Sequence, residues 1–465
     1  MPQPSSILKN KFPFQPTKGQ LEVIEHLDQF IDSKEEKPTI IIKGYAGTGK
    51  TTLMGSLVKV LPLFNQKFVL LAPTGRAAKV LSNYSGRVAF TIHKKIYKSV
   101  GGDGEVSLSF KRQKNYQKDT IFIVDEASMI PVLKDYNGRS LLTDLVDYVF
   151  EKEGNKLILI GDTAQLPPVM QEESFALDHA FLSDKFQLKT INFELTEITR
   201  QALDSGILQN ATQLRSQLHQ NPIRIKFNTA QYPDIFRMTS ERLEDGLRYC
   251  YDKYGIENTL IICRSNRSAV QYNKFIRHQL MFREEELEAG DLLMIAKNNY
   301  MFLPDDMPSG FLANGDFVEV LKIKNTEEIY GLRFADLELK LLDYSYKDSF
   351  EAKVILDTLH SNTPALPSDL NKSLYDQVLE DYGGLTKKQQ KEEMKKDPYI
   401  NALQIKYAYA LTCHKSQGGQ WNAIFVDQGY LTSEKIDKEF LRWVYTAVTR
   451  ARNELFLLNF HSSFF

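Results

Sequence analysis

The chain of 465 residues has only three cysteines and two tryptophans, and its charges nearly cancel, with 58 Lys and Arg against 59 Asp and Glu. Cys250, Cys263 and Cys413 lie far apart, without CxxC or Cys/His ligand spacing, which argues against a disulfide framework and a zinc site. They read as small hydrophobes in reducing surroundings. No run approaches the ~18 consecutive apolar residues that span a bilayer, and Met1 to Pro16 lacks a charged-then-apolar signal pattern; a cytoplasmic protein with no membrane attachment is expected. A formal net charge of −1 carries no global nucleic-acid signature, so any such binding must come from local grooves. No internal repeat or low-complexity tract is evident. The 42% hydrophobic content is that of an ordinary globular protein, and the length allows roughly two to four domains.

What is present is a phosphate cradle. The apolar run Thr39-Ile40-Ile41-Ile42 leads into GYAGTGKTT, Gly44 to Thr52. In this pattern the loop of backbone N–H groups from Ala46, Gly47 and Thr48 opens a helix at Lys50, and small residues at Gly44 and Gly49 let it close around phosphate. Lys50 would neutralise the β- and γ-phosphates, Thr51 would hold Mg²⁺, and Thr52 completes the loop. The apolar residues Leu53, Leu57, Val58 and Leu61 that follow supply the buried face of the helix.

Short β-rich runs alternate with longer amphipathic stretches: Ile40 to Lys43, Phe68 to Ala72, Ile121 to Val124 and Leu157 to Ile160, then after about Leu195 a second series at Thr259 to Cys263, Tyr407 to Thr412, Ala423 to Asp427 and Leu455 to Asn459. This alternation predicts two α/β units with parallel sheets, their ligands at the carboxyl ends of the strands. Two segments interrupt the plan. Glycines flank alternating residues between Ile96 and Asp119, which suits a protruding β-hairpin. Between Met301 and Ile400, the strand candidates Phe317 to Ile323 and Leu337 to Leu342 and a Lys/Glu-rich helix (Thr386 to Lys396) predict a small β-barrel and a solvated connector.

IFIVDEASM, Ile121 to Met129, ends an apolar strand in two acids. Asp125 would hold Mg²⁺ through water and Glu126 would orient or deprotonate an attacking water; a solvated acid pair is the alternative, made less apt by the phosphate loop upstream. In LILIGDTAQLPPV, Gln165 could sense the γ-phosphate or the water, and Pro167-Pro168 would stiffen the loop. Arg200 in ITRQ and Arg450 in YTAVTRA are candidate cations on the developing charge, although arginines in such positions more often form salt bridges.

Taken in order, QPTKGQ ending at Gln20, GYAGTGKTT, APTGRAAKVL, TIHKKIY, VDEAS, GDTAQLPPV, ITRQ, YALTCHKSQGGQW and VYTAVTRARNELFLL resemble the superfamily 1B helicases, and among them the RecD-like and phage Dda-like 5′-to-3′ DNA helicases. The motifs cover residues 15 to 458. The resemblance implies two RecA-like parallel-sheet P-loop motor domains with ATP between them, the first from 1–95 and 119–195 and the second from 196–300 and 401–465. It further implies a β-hairpin pin at 96–118 and an SH3-like β-barrel insertion with a helical connector at 301–400. It places Gln20 on the adenine, Lys50 and Thr51 on phosphates and Mg²⁺, Asp125 and Glu126 at the metal and water, and Gln165, Arg200 and Arg450 toward the γ-phosphate. It assigns Pro73, Thr74, His93, Thr412, His414 and Lys415 to the single-stranded DNA track or its coupling to ATP. Phe110, with Tyr116 in reserve, is the aromatic best placed on the pin to stack on the last base pair. The stretch His360 to Pro398 matches no element of the family. Single-stranded DNA, its junctions with duplex and a single-strand binding protein are the expected partners of a monomer. An RNA helicase or remodeller of superfamily 1, or a nucleotide-switched strand-binding protein that does not unwind, are the competing readings.

Overall fold

The computed structural model describes residues 3–100, 109–134, 138–198, 204–299, 312–342, 349–431 and 436–465, with side chains 99, 100, 109 and 110 excluded. In chain order the first strands are β1 (Pro38–Gly44), β2 (Lys67–Ala72) and β3 (Ala89–Thr91), then a separate antiparallel hairpin of β4 (Tyr97–Val100) and β5 (Ser109–Arg112). β6 (Thr120–Val124), β7 (Lys156–Gly161) and β8 (Lys189–Leu195) complete a six-stranded sheet in the order β3-β2-β6-β7-β1-β8, parallel throughout. Its central strands are apolar on both faces because helices cover both: Ile40, Ile42 and Ile123 pack in one core cluster, Ile41, Phe122 and Val124 in another.

The second unit follows the same logic. β9 (Ile235–Met238) and β10 (Thr259–Cys263) join later strands β16 (Ala410–Thr412), β17 (Trp421–Asp427) and β18 (Ala451–Leu458) in the all-parallel order β16-β10-β17-β18-β9. Inserted between β10 and β16 is a closed five-stranded barrel of β11 (Leu292–Ile295), β12 (Phe317–Ile329), β13 (Leu332–Leu341), β14 (Ser349–Ile355) and β15 (Leu403–Tyr407). The molecule is thus two RecA-like motor units with a hairpin and an SH3-like barrel inserted.

Two local differences from the sequence reading have physical causes. The single strand expected over Tyr407 to Thr412 is two. Tyr407 ends the barrel, the Ala408 N–H still bonds Leu292 O at 2.9 Å, and then Tyr409 O accepts from Ile261 of the sheet at 3.1 Å. Asn273 bridges the change of partner: its carbonyl accepts from the N–H groups of Tyr409 and Ala410 and its amide donates to Ala410 O. Likewise the barrel reaches beyond 301–400, because β11 and β15 on either side close it.

The unmatched stretch after His360 forms two helices, Ser368–Asp381 and Lys387–Lys396. They press Leu374, Val378 and Met394 onto Leu332, Phe334 and Ile355 of the barrel, all buried. Each such side chain contributes ~1.5–3 kcal/mol by leaving water, which explains a charge-rich sequence staying docked by a few apolar residues.

Candidate active site

The phosphate loop lies between β1 and helix Lys50–Val60, at the carboxyl end of the first sheet. Gly44 has no space for a side chain: a Cβ there would lie 2.9 Å from both Lys50 Cγ and Thr48 Oγ1. Gly49 precedes the helix at a left-handed φ of 77°. Inside the loop, Thr48 Oγ1 donates to Tyr45 O at 2.8 Å, and Lys50 Nζ donates to Gly44 O at 2.6 Å and Tyr45 O at 2.9 Å. Neutral carbonyls are weaker partners for an ammonium than a charged phosphate oxygen, so Lys50 is held ready to exchange them. The Thr51 hydroxyl makes no hydrogen bond among the described residues.

Gln20 stands beside this loop, but its polar atoms brace it. Oε1 accepts from Thr17 N at 2.9 Å in a capping box, and Nε2 donates to Thr48 O at 3.0 Å. The adjoining cavity, of about 600 Å³, is lined by Phe12, Phe14, Pro16, Gln20, Thr52 and Ile198. That volume is within the range of ligand pockets, and the Phe12 and Phe14 rings, set among polar residues such as Lys18 and Glu197, suit a heterocyclic base. Phe12 and Phe14 were not singled out in the sequence, where two aromatics just before QPTKGQ were the available signal.

β6 delivers the acids. Asp125 Oδ1 accepts from the N–H of Glu126 at 2.9 Å, and Glu126 adopts a left-handed φ of 51°, rare for a residue with a Cβ, that turns the chain sharply at the strand end. Burial above all, then the neighbouring charge of Glu126, pushes the Asp125 carboxyl up to about 7, while its backbone bond and Lys50 oppose the rise. Asp125, Glu126 and the Thr51 hydroxyl are all oxygen donors, a set whose chemistry fits Mg²⁺, which takes few protein ligands and completes its shell with phosphate and water. Gln165 is buried and its Oε1 has no hydrogen-bond partner, so an acceptor in the cleft is left for a water or a donor from elsewhere.

The second unit closes this cleft directly. From helix Lys438–Val448, the Tyr445 hydroxyl accepts from the Ala46 N–H of the phosphate loop at 2.9 Å and donates to Asp162 Oδ2 at 2.7 Å. Next to it, Leu166 N donates to Thr446 Oγ1 at 2.8 Å, and Gln417 Nε2 donates to Leu166 O at 2.9 Å. Tyr445 and Asp162 lie inside the motifs quoted above, yet nothing in the sequence marked the tyrosine hydroxyl as the bridge. Arg450 is buried, and its guanidinium donates to Thr446 O, Gly419 O and Thr449 Oγ1, all in its own unit. These bonds do not bring it to the phosphate loop. Arg200 lies outside the described residues.

The remaining candidates fall on strand ends of both sheets. Pro73 and Thr74 follow β2, where Thr74 Oγ1 caps helix Gly75–Ser85 by accepting from Ala77 N at 3.2 Å. Thr412 ends β16, and His414 and Lys415 occupy the short helix Cys413–Ser416. The two sets approach each other: a Cβ at Gly418 would lie 3.0 Å from Thr74 Oγ1. His93, in helix Ile92–Ile96, has its imidazole lowered by burial to about 4, so it is neutral at physiological pH and can offer a hydrogen bond but not a charge. Burial lowers Lys415 to about 8, and its ammonium donates to Asn314 at the barrel's edge. The backbone of Phe110 lies in β5, paired with Ser99; its side chain and the hairpin tip, 101–108, are outside the described residues. Tyr116, beyond the hairpin, is 83% exposed.

A phosphate loop, strand-end acids and a second parallel-sheet unit hydrogen-bonded across the cleft define a two-unit P-loop motor that uses ATP. Residues 16–226 match the AAA domain family and residues 407–458 the UvrD-like helicase C-terminal domain family. Protein R530 of Acanthamoeba polyphaga mimivirus is 24% identical over 94% of this chain and 98% of its own length. The ATP-dependent DNA helicase Dda of Enterobacteria phage T4 is 25% identical over 64% of this chain and 66% of its own length. The RecBCD enzyme subunit RecD of Buchnera aphidicola is 23% identical over 90% of this chain and 69% of its own length. The chain belongs to the superfamily 1B helicases, with RecD and Dda among its relatives.

Proposed function

We propose that this ATP-dependent DNA helicase moves 5′ to 3′ along single-stranded DNA as a cytoplasmic monomer and opens duplex at a fork. The observation that carries the reading is the bridge from Ala46 through Tyr445 to Asp162, which ties the nucleotide loop to the second unit by one part-buried and one buried hydrogen bond. In the proposed division, 1–95 with 119–195 is the first motor domain and 96–118 the pin; the second motor domain, expected over 196–300 with 401–465, gives up β11 and β15 to the barrel insertion, which thereby extends past 301–400 on both sides. Relatives named as DNA helicases support DNA as the track.

In the cycle, Lys50 exchanges loop carbonyls for the β- and γ-phosphates while Glu126 orients the attacking water and takes its proton. Gln165 accepts from that water or from a neighbouring donor. Thr51 and Asp125 would hold Mg²⁺, which supplies positive charge on the phosphate oxygens. Arg200 and Arg450 gain contacts with the γ-phosphate that they lose with its release, giving the differential affinity that drives opening and closing. Pro73, Thr74 and His93 on one unit and Thr412, His414 and Lys415 on the other grip the strand in turn. Phe110 on the hairpin stacks on the last base pair, backed by the barrel, and a single-strand binding protein would share the product strand.

ATPase activity with DNA and RNA single strands of equal length tests the substrate. DNA should stimulate turnover strongly and RNA weakly, and Lys50→Ala should abolish both. Stimulation by RNA equal to that by DNA would contradict the DNA assignment.

A further inference from the structure

A further cation faces the phosphate loop from the second unit. Arg215 is the penultimate residue of helix Gly206–Ser216 in the second unit, and its guanidinium lies 4.1 Å from the centroid of the Tyr45 ring. Tyr45 is the loop residue between Gly44 and Ala46, and its carbonyl is one of the two that hold Lys50. Its ring is a fixed platform, because the hydroxyl donates to Glu194 Oε1 at 2.7 Å and Glu194 sits at the end of β8 in register with Lys43 of β1. The charge of Arg215 also acts, as the weakest of several influences, on the Tyr445 hydroxyl of the Ala46–Tyr445–Asp162 bridge.

Arg215 makes no hydrogen bond or ion pair among the described residues. The two acids whose charge acts on the same Tyr45 ring are committed elsewhere: Glu194 to the Tyr45 hydroxyl, and Asp162 to Tyr445 and to the N–H of Ala164. Arg450, in contrast, spends its donors on three acceptors of its own unit. A half-buried guanidinium with all its donors free, stacked on the phosphate loop from the opposite wall of the cleft, has the fork geometry and charge that a terminal phosphate recognises.

We propose that Arg215 is a γ-phosphate-sensing cation, carried on the Tyr45 ring and delivered from the second unit, so that the cleft distinguishes ATP from ADP. This rests on the nucleotide-driven motor described above. A stack serving stability alone would leave that distinction unchanged, and this separates the two roles.

The test compares the full-length protein with Arg215→Gln, Arg215→Lys and Tyr45→Leu, measuring affinity for ADP and for a non-hydrolysable ATP analogue with Mg²⁺, and DNA-stimulated kcat. In Arg215→Gln the preference for the analogue over ADP should fall at least about tenfold with ADP affinity within about twofold, and kcat should fall with it; this is the order of one lost charge-assisted contact. Arg215→Lys should recover part of the preference, and Tyr45→Leu should lose part with Arg215 intact. Equal weakening of both nucleotides, or an unchanged preference in Arg215→Gln and Tyr45→Leu, would overturn the inference while leaving the motor in place. A wild-type protein that neither binds nor hydrolyses ATP would instead remove the motor reading itself.

Discussion

Lys50, Glu126 and His93 show how a side chain's surroundings set what it can do. Glu126→Gln keeps the shape of the strand end and removes the proton acceptor, so ATP binding should persist while kcat falls roughly 10²–10⁴-fold; near-normal turnover would take Glu126 out of the reaction. His93 carries a pH dependence with a definite sign. Its imidazole titrates near 4 in the fold against 6.5 ordinarily. Between those values the unfolded chain binds the proton and the folded chain does not, so unfolding takes protons up. The stability contributed by neutral His93 is intact above about 6.5 and is lost as the pH falls toward 4. Thermal unfolding across that interval should fall less steeply for His93→Gln than for the native chain, and parallel curves would show that burial of this ring is not what the acid transition reads. At this scale the sequence was informative about backbone chemistry: the glycines, Lys50 and the acids sit where GYAGTGKTT and VDEAS imply. It was silent on Tyr445, Phe12 and Arg215, because a bridging hydroxyl, a cavity wall and an unspent guanidinium depend on residues from other parts of the chain.

The elements divide in the same way. Continuous apolar runs such as Thr39 to Ile42 specify central parallel strands, since only helices on both faces can bury them, and these were legible from the chain alone. The split between β15 and β16 was not legible, because Tyr407 to Thr412 is one unbroken apolar pattern and only Asn273 and the closing barrel divide it. Nor was the docking of helices Ser368–Asp381 and Lys387–Lys396, whose polar composition hides three apolar anchors. Leu374→Ala should cost the barrel about 2–5 kcal/mol, read as earlier unfolding of that region by hydrogen exchange, with ATP affinity unchanged. Loss of nucleotide binding in this variant would mean that the helical pair supports the cleft as well. On the hairpin, Phe110→Ala should spare DNA-stimulated ATPase and lower duplex unwinding. Equal loss of both, or of neither, would rule out a wedge at that position.

At the scale of the whole molecule, the two sheets present their strand ends to one another, with nucleotide groups on one side of the junction and strand-gripping candidates spread over both units. Helix Gly75–Ser85 stands where three parts of this arrangement meet. Its Arg76 guanidinium lies 4.2 Å from the Phe317 ring of the barrel and 4.0 Å from the Trp421 ring of the second sheet, so one residue of the first motor touches both other bodies. With a formal net charge of −1, the chain has no broad positive field to attract DNA, and its grip must come from short-range contacts. The affinity should therefore vary little with base sequence. Directional motion on a single strand, coupled to ATP, is tested by unwinding two partial duplexes, one with a 5′ and one with a 3′ single-stranded tail, with ATP and Mg²⁺. Unwinding of the 5′-tailed substrate alone is the predicted result; unwinding from the 3′ tail, or from neither while ATPase is intact, would contradict it.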